Sequence, residues 1–297
     1  MTAGAARRPT LRTRARRSVR AVSRATGRLT CGLRMAPSFL IVGSQRCGTT
    51  SMFKTLSQHP AVLPVVLHKG VHYFDVHYDK GMPWYLGHFP LRHRASGVHK
   101  RLGVAAATGE SSPYYMFHPL AAQRIARDMP DVRLIVLLRD PVERAYSAFT
   151  HERARGYETD SFERALELEA GRIAGEVDRI LTDPSYDSQH WRHNAYVTRG
   201  QYIEQLERLE SLVGRERLHV VDSDAFFTDP RPTFDAVCSF LGLPVTPEVI
   251  SGVSFDKHNA RPRAAMASSV RARLEEHYAP YDERLAEWWG RRPSWRP

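Results

Sequence analysis

The chain has 297 residues, 42% of them hydrophobic, which is enough for one large domain with a substantial core. No stretch approaches the roughly 20 consecutive apolar residues that a membrane span needs, so no membrane span is expected. The formal charge of +11 suggests a nucleic-acid partner until it is mapped: ten arginines lie in residues 1–35, which hold no lysine, aspartate or glutamate, and about +1 is left for the rest.

The basicity is therefore a tail. We read residues 1–35 as an Arg-rich disordered extension, with contact to an anionic surface or nucleic acid as the alternative. A nucleic-acid partner is not expected for the near-neutral remainder. No apolar segment follows the arginines, so a cleaved signal peptide is not expected. Cys31, Cys47 and Cys238 are odd in number and widely spaced, which fits neither a disulfide framework nor a zinc site. A reducing cytoplasm and no metal are the expectations.

After the tail, Ser38–Val42 reads as a buried strand ending at Gly43, and Thr49–Gln58 as a helix stopped near Pro60. Val62–Val66 is a candidate second strand, and Trp84–Phe89 a loop or short helix. Gly103–Thr108 resembles a strand running into Gly109-Glu110. Pro119–Asp128 reads as a helix. Val132–Leu138 is the clearest strand, apolar almost throughout, as for a parallel strand covered on both faces. Val142–Arg153 continues as a helix with Pro141 near its start. Ser161–Gly175 and Gln201–Val213 are amphipathic, Arg217–Val221 is a late strand, and Pro232–Leu241 is a helix ended by Gly242. Ser268–Trp289 reads as helical with a break near Pro280. Strand and helix alternate, which predicts a single α/β domain, residues 36–297, with a P-loop-like, mostly parallel sheet flanked by helices.

The segment Gly43–Ser51, GSQRCGTTS, sits between the first strand and the first helix. Its glycine spacing matches the phosphate-loop pattern G-x-x-x-x-G-K-[ST], but Thr49 stands where the lysine belongs. In a nucleotide hydrolase that lysine reaches the terminal phosphates. Without it the loop still offers backbone amides, two hydroxyls and a helix N-terminus, with Arg46 adding charge. That combination suits a shorter 5′-phosphate group. Arg139 ends the clearest strand, and Ser147 follows eight residues later in RDPVERAYSAF. Ligands of open α/β sheets bind outside such strand ends, so the two form a candidate second phosphate site. The alternative is that Arg139 pairs with Asp140 or Glu143.

Here the chain resembles the PAPS-dependent sulfotransferases. GSQRCGTTS resembles their 5′-phosphosulfate loop and LRDPVERAYSAF their 3′-phosphate motif. KGVHYFD (69–75) and GESSPYY (109–115) are similar to segments of the branch that includes heparan sulfate sulfotransferases and their bacterial relatives. FDKHNARP (255–262) is similar to the basic loop that folds over the donor. The resemblance implies a P-loop-like α/β fold and sulfuryl transfer from PAPS to a hydroxyl or amine of a carbohydrate or small molecule. It implies that Arg46, Cys47, Gly48, Thr49 and Thr50 contact the 5′-phosphosulfate. Arg139 and Ser147 would hold the 3′-phosphate, and Lys257 and Arg261 would cover the nucleotide.

One position departs from that branch. A glutamate, the usual general base, often follows the lysine of the KGVHYFD-like segment, and here the residue is Gly70. His72 is our first choice of base, because an imidazole titrates near neutral pH. A structural histidine bonded to Asp75 is the alternative. Glu110 is the second candidate base, and Lys69 a candidate to assist the sulfuryl group. Arg46 is the candidate to stabilise the leaving phosphate. Rival readings are a P-loop nucleotide kinase or NTPase and an inactive nucleotide-binding relative. Tyr73, Phe74, Trp84, Tyr85, Tyr114 and Tyr115 could line an acceptor pocket or lie in the core. The acceptor and the oligomeric state stay open.

Overall fold

The computed structural model describes residues 27–66, 69–256 and 264–296. Residues 1–26 of the Arg-rich tail, and the candidates Lys257 and Arg261, lie outside them.

Four strands make one parallel sheet: β1 (Phe39–Gly43), β2 (Gly109–Ser111), β3 (Arg133–Leu138) and β4 (Leu218–Asp222), in the spatial order β2-β1-β3-β4. Phe39 pairs with Gly109 on one side and Arg133 on the other, and Leu134 pairs with Leu218. Phe39 to Val42 and Leu134 to Leu138 are fully buried, which is why both segments lack an alternating pattern. The chain leaves β1 toward β2 and then crosses back to β3 on the other side. The strand order therefore reverses between β1 and β3, and a crevice opens at their carboxyl ends.

Helices cover the sheet where local signals start and stop them. Helix α1 (Thr49–Leu56) begins after Gly48, whose φ of +83° suits glycine and at which a Cβ would lie 2.9 Å from the Phe227 ring. The next two, α2 (Met82–Leu86) and α3 (His93–Leu102), lead to β2, and α4 (Ala121–Asp128) leads to β3. Helix α5 (Pro141–Arg155) is capped by Asp140, whose side chain accepts the Val142 N–H at 2.9 Å. Ser161 caps α6 (Phe162–Ile173) in the same way. Then come α7 (Glu176–Thr182), α8 (Gln189–His193) and α9 (Tyr202–Val213). After β4 follow α10 (Ser223–Thr228), α11 (Pro230–Leu241), α12 (Pro247–Ile250) and α13 (Ser268–Trp289).

Several sequence expectations are corrected. Val62–Val66 is no strand; it makes one bridge, Val62 to Ala107, and Pro64 cannot donate to a longer ladder. The strand expected at Gly103–Thr108 lies instead at Gly109–Ser111, because only there does the backbone reach β1. Helix α13 runs past Pro280 without a break, with Leu274, Tyr278 and Leu285 buried on both sides of it. Residues 27–35, read from the sequence as part of the tail, are among the described residues. Gly27 packs directly on Gly87, and Arg34 is buried with Nη1 donating to the Phe89 carbonyl at 2.6 Å. Counting arginines could not reveal this, since Arg34 is satisfied by backbone oxygen rather than by a carboxylate.

Candidate active site

The phosphate loop leaves β1 into the crevice and is tied to β3 by the Ser44 N–H, which donates to the Leu137 carbonyl at 2.8 Å. Helix α1 then points its N-terminus into the crevice, offering amides that have no acceptor within the helix. Arg46 adopts φ of +73°, and His72 adopts +56°. They are the non-glycine residues with positive φ among the described ones, and both line the same cleft. Backbone held in this region costs energy and concentrates at functional sites.

Arg46 and Ser147, 101 residues apart, meet here: Arg46 Nε donates to Ser147 Oγ at 3.0 Å. Arg139 Nη1 approaches the Arg46 carbonyl at 3.5 Å. The loop after β1 and the strand end of β3 thus form one cationic corner with a hydroxyl. Arg139 does face Glu143, but at 3.8 Å, and Glu143 is engaged by Arg271 as well.

Lys69 supplies what the loop lacks. Its Nζ donates to Thr50 Oγ1 at 2.7 Å, which places a cation beside the first turn of α1 although Thr49 occupies the lysine position of the motif. Burial pulls the Lys69 ammonium down to about 8, against the pull of Glu110.

The segment 69–75 is fastened to the β2 side. The Ser111 N–H donates to the Lys69 carbonyl at 2.7 Å, and the His72 N–H to Ser112 Oγ at 3.0 Å. His72 Nδ1 lies 2.7 Å from Asp75 Oδ2. Asp75 is buried, and its Oδ1 accepts the Val76 N–H at 2.6 Å. Burial alone would lower the His72 imidazole, but the Asp75 carboxylate and its hydrogen bond outweigh it and raise the pKa. Burial likewise acts to raise Asp75, and His72 reverses this and lowers it. The alternative of a histidine bonded to Asp75 is therefore met, yet it does not remove His72 from the cleft. The bond makes Nδ1 the donor and leaves Nε2 of the neutral ring able to accept a proton.

Two candidates are turned away from the cleft by burial. Glu110 is fully buried and lines no part of the cleft. Its carboxylate accepts from the Val71 N–H at 3.1 Å, Ser112 Oγ at 2.7 Å and the Tyr115 hydroxyl at 2.6 Å. A group so enclosed cannot reach an acceptor hydroxyl; it anchors the 69–75 segment to β2. Cys47 points inward, with Sγ 3.6 Å from the Tyr202 hydroxyl, and burial raises its thiol pKa. Its N–H donates to the Ser44 carbonyl at 3.1 Å and its carbonyl accepts from Ser223 Oγ at 2.6 Å. The Cys47 side chain packs beneath the loop and does not line the cleft. Gly48 provides the turn into α1, Thr49 is nearly buried and Thr50 is half-buried, and both threonines line the cleft.

The cleft measures about 420 Å³. Residues not singled out in the sequence complete it, chiefly His151, Arg155, Arg192, His193 and Arg199. No carboxylate lines it among the described residues. His151 and Arg155 follow Ser147 at four and eight residues on α5, a helical spacing that could have revealed them. Arg192, His193 and Arg199 come from short helical turns and carried no such signal. Of the aromatic candidates only Tyr114 lines the cleft. Tyr73, Phe74, Tyr85 and Tyr115 are buried in the core, with Tyr73 stacked on Tyr85 at 4.6 Å, and Trp84 is packed against that core.

Known proteins resemble this chain in sequence and fold. The sulfotransferase domain family model matches residues 36–284. Human heparan sulfate glucosamine 3-O-sulfotransferase 5 is 28% identical over 210 residues, covering 70% of this chain and 54% of that protein. Bifunctional heparan sulfate N-deacetylase/N-sulfotransferase 1 of Caenorhabditis elegans is 25% identical over 224 residues, covering 74% of this chain and 24% of that protein. The chain thus spans about half the length of the human relative and a quarter of the nematode one. A solved sulfotransferase from Alicyclobacillus acidocaldarius superposes with a TM-score of 0.62 at 29% identity, covering 86% of this chain and 97% of that one. With the family match extending over nearly all of the globular part, the chain belongs to the sulfotransferase family.

Proposed function

We propose that this protein transfers a sulfuryl group from PAPS to a hydroxyl or amine of a carbohydrate or small-molecule acceptor. The observation that carries the reading is the hydrogen bond from Arg46 to Ser147, which joins a 5′-phosphate loop to a 3′-phosphate motif in one corner. PAPS has phosphate at both positions, and the residues present fit it. The α1 amides with Thr49 and Thr50 would take the 5′-phosphosulfate, and Arg139 with Ser147 the 3′-phosphate. Relatives named for heparan sulfate support a carbohydrate acceptor.

In the proposed reaction the acceptor atom attacks sulfur in line and the bond from sulfur to the 5′-phosphate oxygen breaks. Lys69 neutralises the sulfuryl oxygens and Arg46 the departing phosphate. His72 Nε2 takes the acceptor proton, and Asp75 stabilises the imidazolium. Glu110 acts only by fixing the 69–75 segment. Charge neutralisation by these side chains gives the mechanism no step that calls for a metal.

Calorimetry with PAP, the product nucleotide, tests the donor half, with ATP as comparator. Micromolar PAP binding that Arg46→Ala and Arg139→Ala each weaken at least tenfold is expected. Tighter binding of ATP than of PAP would favour a nucleotide kinase instead. An acceptor screen with labelled PAPS then tests transfer itself, and no transfer to any carbohydrate or phenol would favour an inactive nucleotide-binding relative.

Cys31, Cys47 and Cys238 are all free thiols, and on that cysteine usage we keep the cytoplasm as the proposed compartment. Recovery of the protein in a membrane or secreted fraction would contradict it.

A further inference from the structure

Glu152 lies on α5 behind the cleft, with 1% of its surface exposed. It does not line the cleft, yet its side-chain partners do. Oε1 accepts from Gln45 Nε2 at 3.4 Å and Oε2 from His193 Nδ1 at 3.0 Å. Arg155 Nη1 donates to both oxygens, at 3.1 and 3.3 Å, and His151 Nε2 is 4.0 Å away. Gln45 belongs to the phosphate loop, His151 and Arg155 to α5, and His193 to α8. The second face of Gln45 is also fixed, since its Oε1 accepts from the buried Arg199.

Glu169, another buried carboxylate, behaves differently. Glu169 accepts the backbone N–H groups of Tyr196, Val197 and Thr198 at 2.7–2.8 Å and serves the chain path. Glu152 serves side chains of the cleft from three separate segments. Burial acts to raise its pKa, but His193, Arg155 and His151 outweigh this and keep it ionised.

We propose that Glu152 is a positioning residue that couples the donor loop to the opposite cationic wall: one buried carboxylate sets Gln45 on the donor side and Arg155 and His193 on the other. The proposal rests on the sulfuryl-transfer reading. Direction of effect separates it from simple electrostatics. Removing a negative charge beside a cationic cleft should tighten an anion, whereas losing the support of the loop should weaken it.

PAP titrations by calorimetry on the full chain, with melting temperature measured alongside, test this. Glu152→Gln should weaken PAP about fivefold, the worth of roughly one net hydrogen bond. Adding Gln45→Ala to it should cost less than the sum of the two separate losses, since both variants remove the contact between Gln45 and Glu152. Glu169→Gln should lower the melting temperature while leaving PAP affinity within about twofold. Tighter or unchanged PAP binding in a folded Glu152→Gln protein, or an additive double variant, overturns the role. Should Glu152→Gln fail to fold, Gln45→Ala alone must weaken PAP by the same factor, and unchanged affinity there also overturns it. A wild-type chain that binds no PAP rejects the sulfuryl-transfer reading itself, and this role with it.

Discussion

His72 Nε2 stands 3.6 Å from the point where a Cβ would begin at Gly70, so the imidazole borders the space that a side chain at position 70 would enter. The same Cβ would meet the Ser111 carbonyl at 2.9 Å. Backbone, more than the imidazole, therefore crowds a side chain at position 70. We expect Gly70→Glu to lower both stability and turnover rather than restore a base. Crowding against backbone should cost about 1–3 kcal/mol, read as a lower melting temperature. A variant as active and stable as wild type would show that the segment yields and that the crowding argument fails.

The His72 and Asp75 pair predicts the acid limb of the pH profile. A base must be neutral, and His72 faces Asp75 and Glu110, which raise its pKa, and Arg192, which lowers it. The net shift is upward, so kcat/KM should rise with pH through a midpoint above the ordinary imidazole value. Asp75→Asn should move that midpoint down, and His72→Ala should reduce kcat roughly 100-fold or more while sparing PAP affinity. An acid limb unmoved in Asp75→Asn would assign the proton to another group.

Lys69 sets the opposite limb. Its ammonium is needed charged, and burial has brought it to about 8. Activity of the free enzyme should therefore decline as pH rises through about 8, giving a bell with His72 on the acid side. Lys69→Met should lower turnover and abolish the alkaline limb. Persistence of that limb in the variant would remove Lys69 from the chemistry.

Glu110 offers a control on the base assignment. In Glu110→Ala the Val71 N–H and the Ser112 and Tyr115 hydroxyls lose their shared acceptor. We expect a stability loss of at least about 2 kcal/mol in chemical denaturation. Turnover lost with stability intact would instead restore Glu110 as the base.

Arg46 and Ser147 make separable contributions to the donor corner. Arg46→Ala should weaken PAP roughly 10- to 100-fold, as for a charged hydrogen-bonding group, and Ser147→Ala about fivefold. A double-mutant cycle should show coupling, because the two side chains touch. Additive losses would mean that they bind different parts of the ligand independently.

The segments proposed for the donor half carry local signals. The glycine spacing of Gly43–Ser51 and the apolar run into Arg139 each mark a strand end. The switch between β1 and β3 then places those ends side by side. The acceptor half was less legible. Arg192 and Arg199 reach the cleft from short turns with no periodic pattern, and Glu110 and Cys47 carry the right chemistry but point into the core.

The sequence by itself therefore determined the candidate phosphate-binding segments, their order along an α/β chain and the absence of a side chain at Gly70. Local residue pattern dictates strand, turn and helix start, and these fix the backbone amides that meet an anion. Only the tertiary structure decided which titratable groups face the cleft. That choice depends on burial and on contacts between segments 39 to 154 residues apart, such as Val71 with Glu110 and Gln45 with Arg199. The buried carboxylates lie behind the cleft, while Lys69, His72 and several arginines line it.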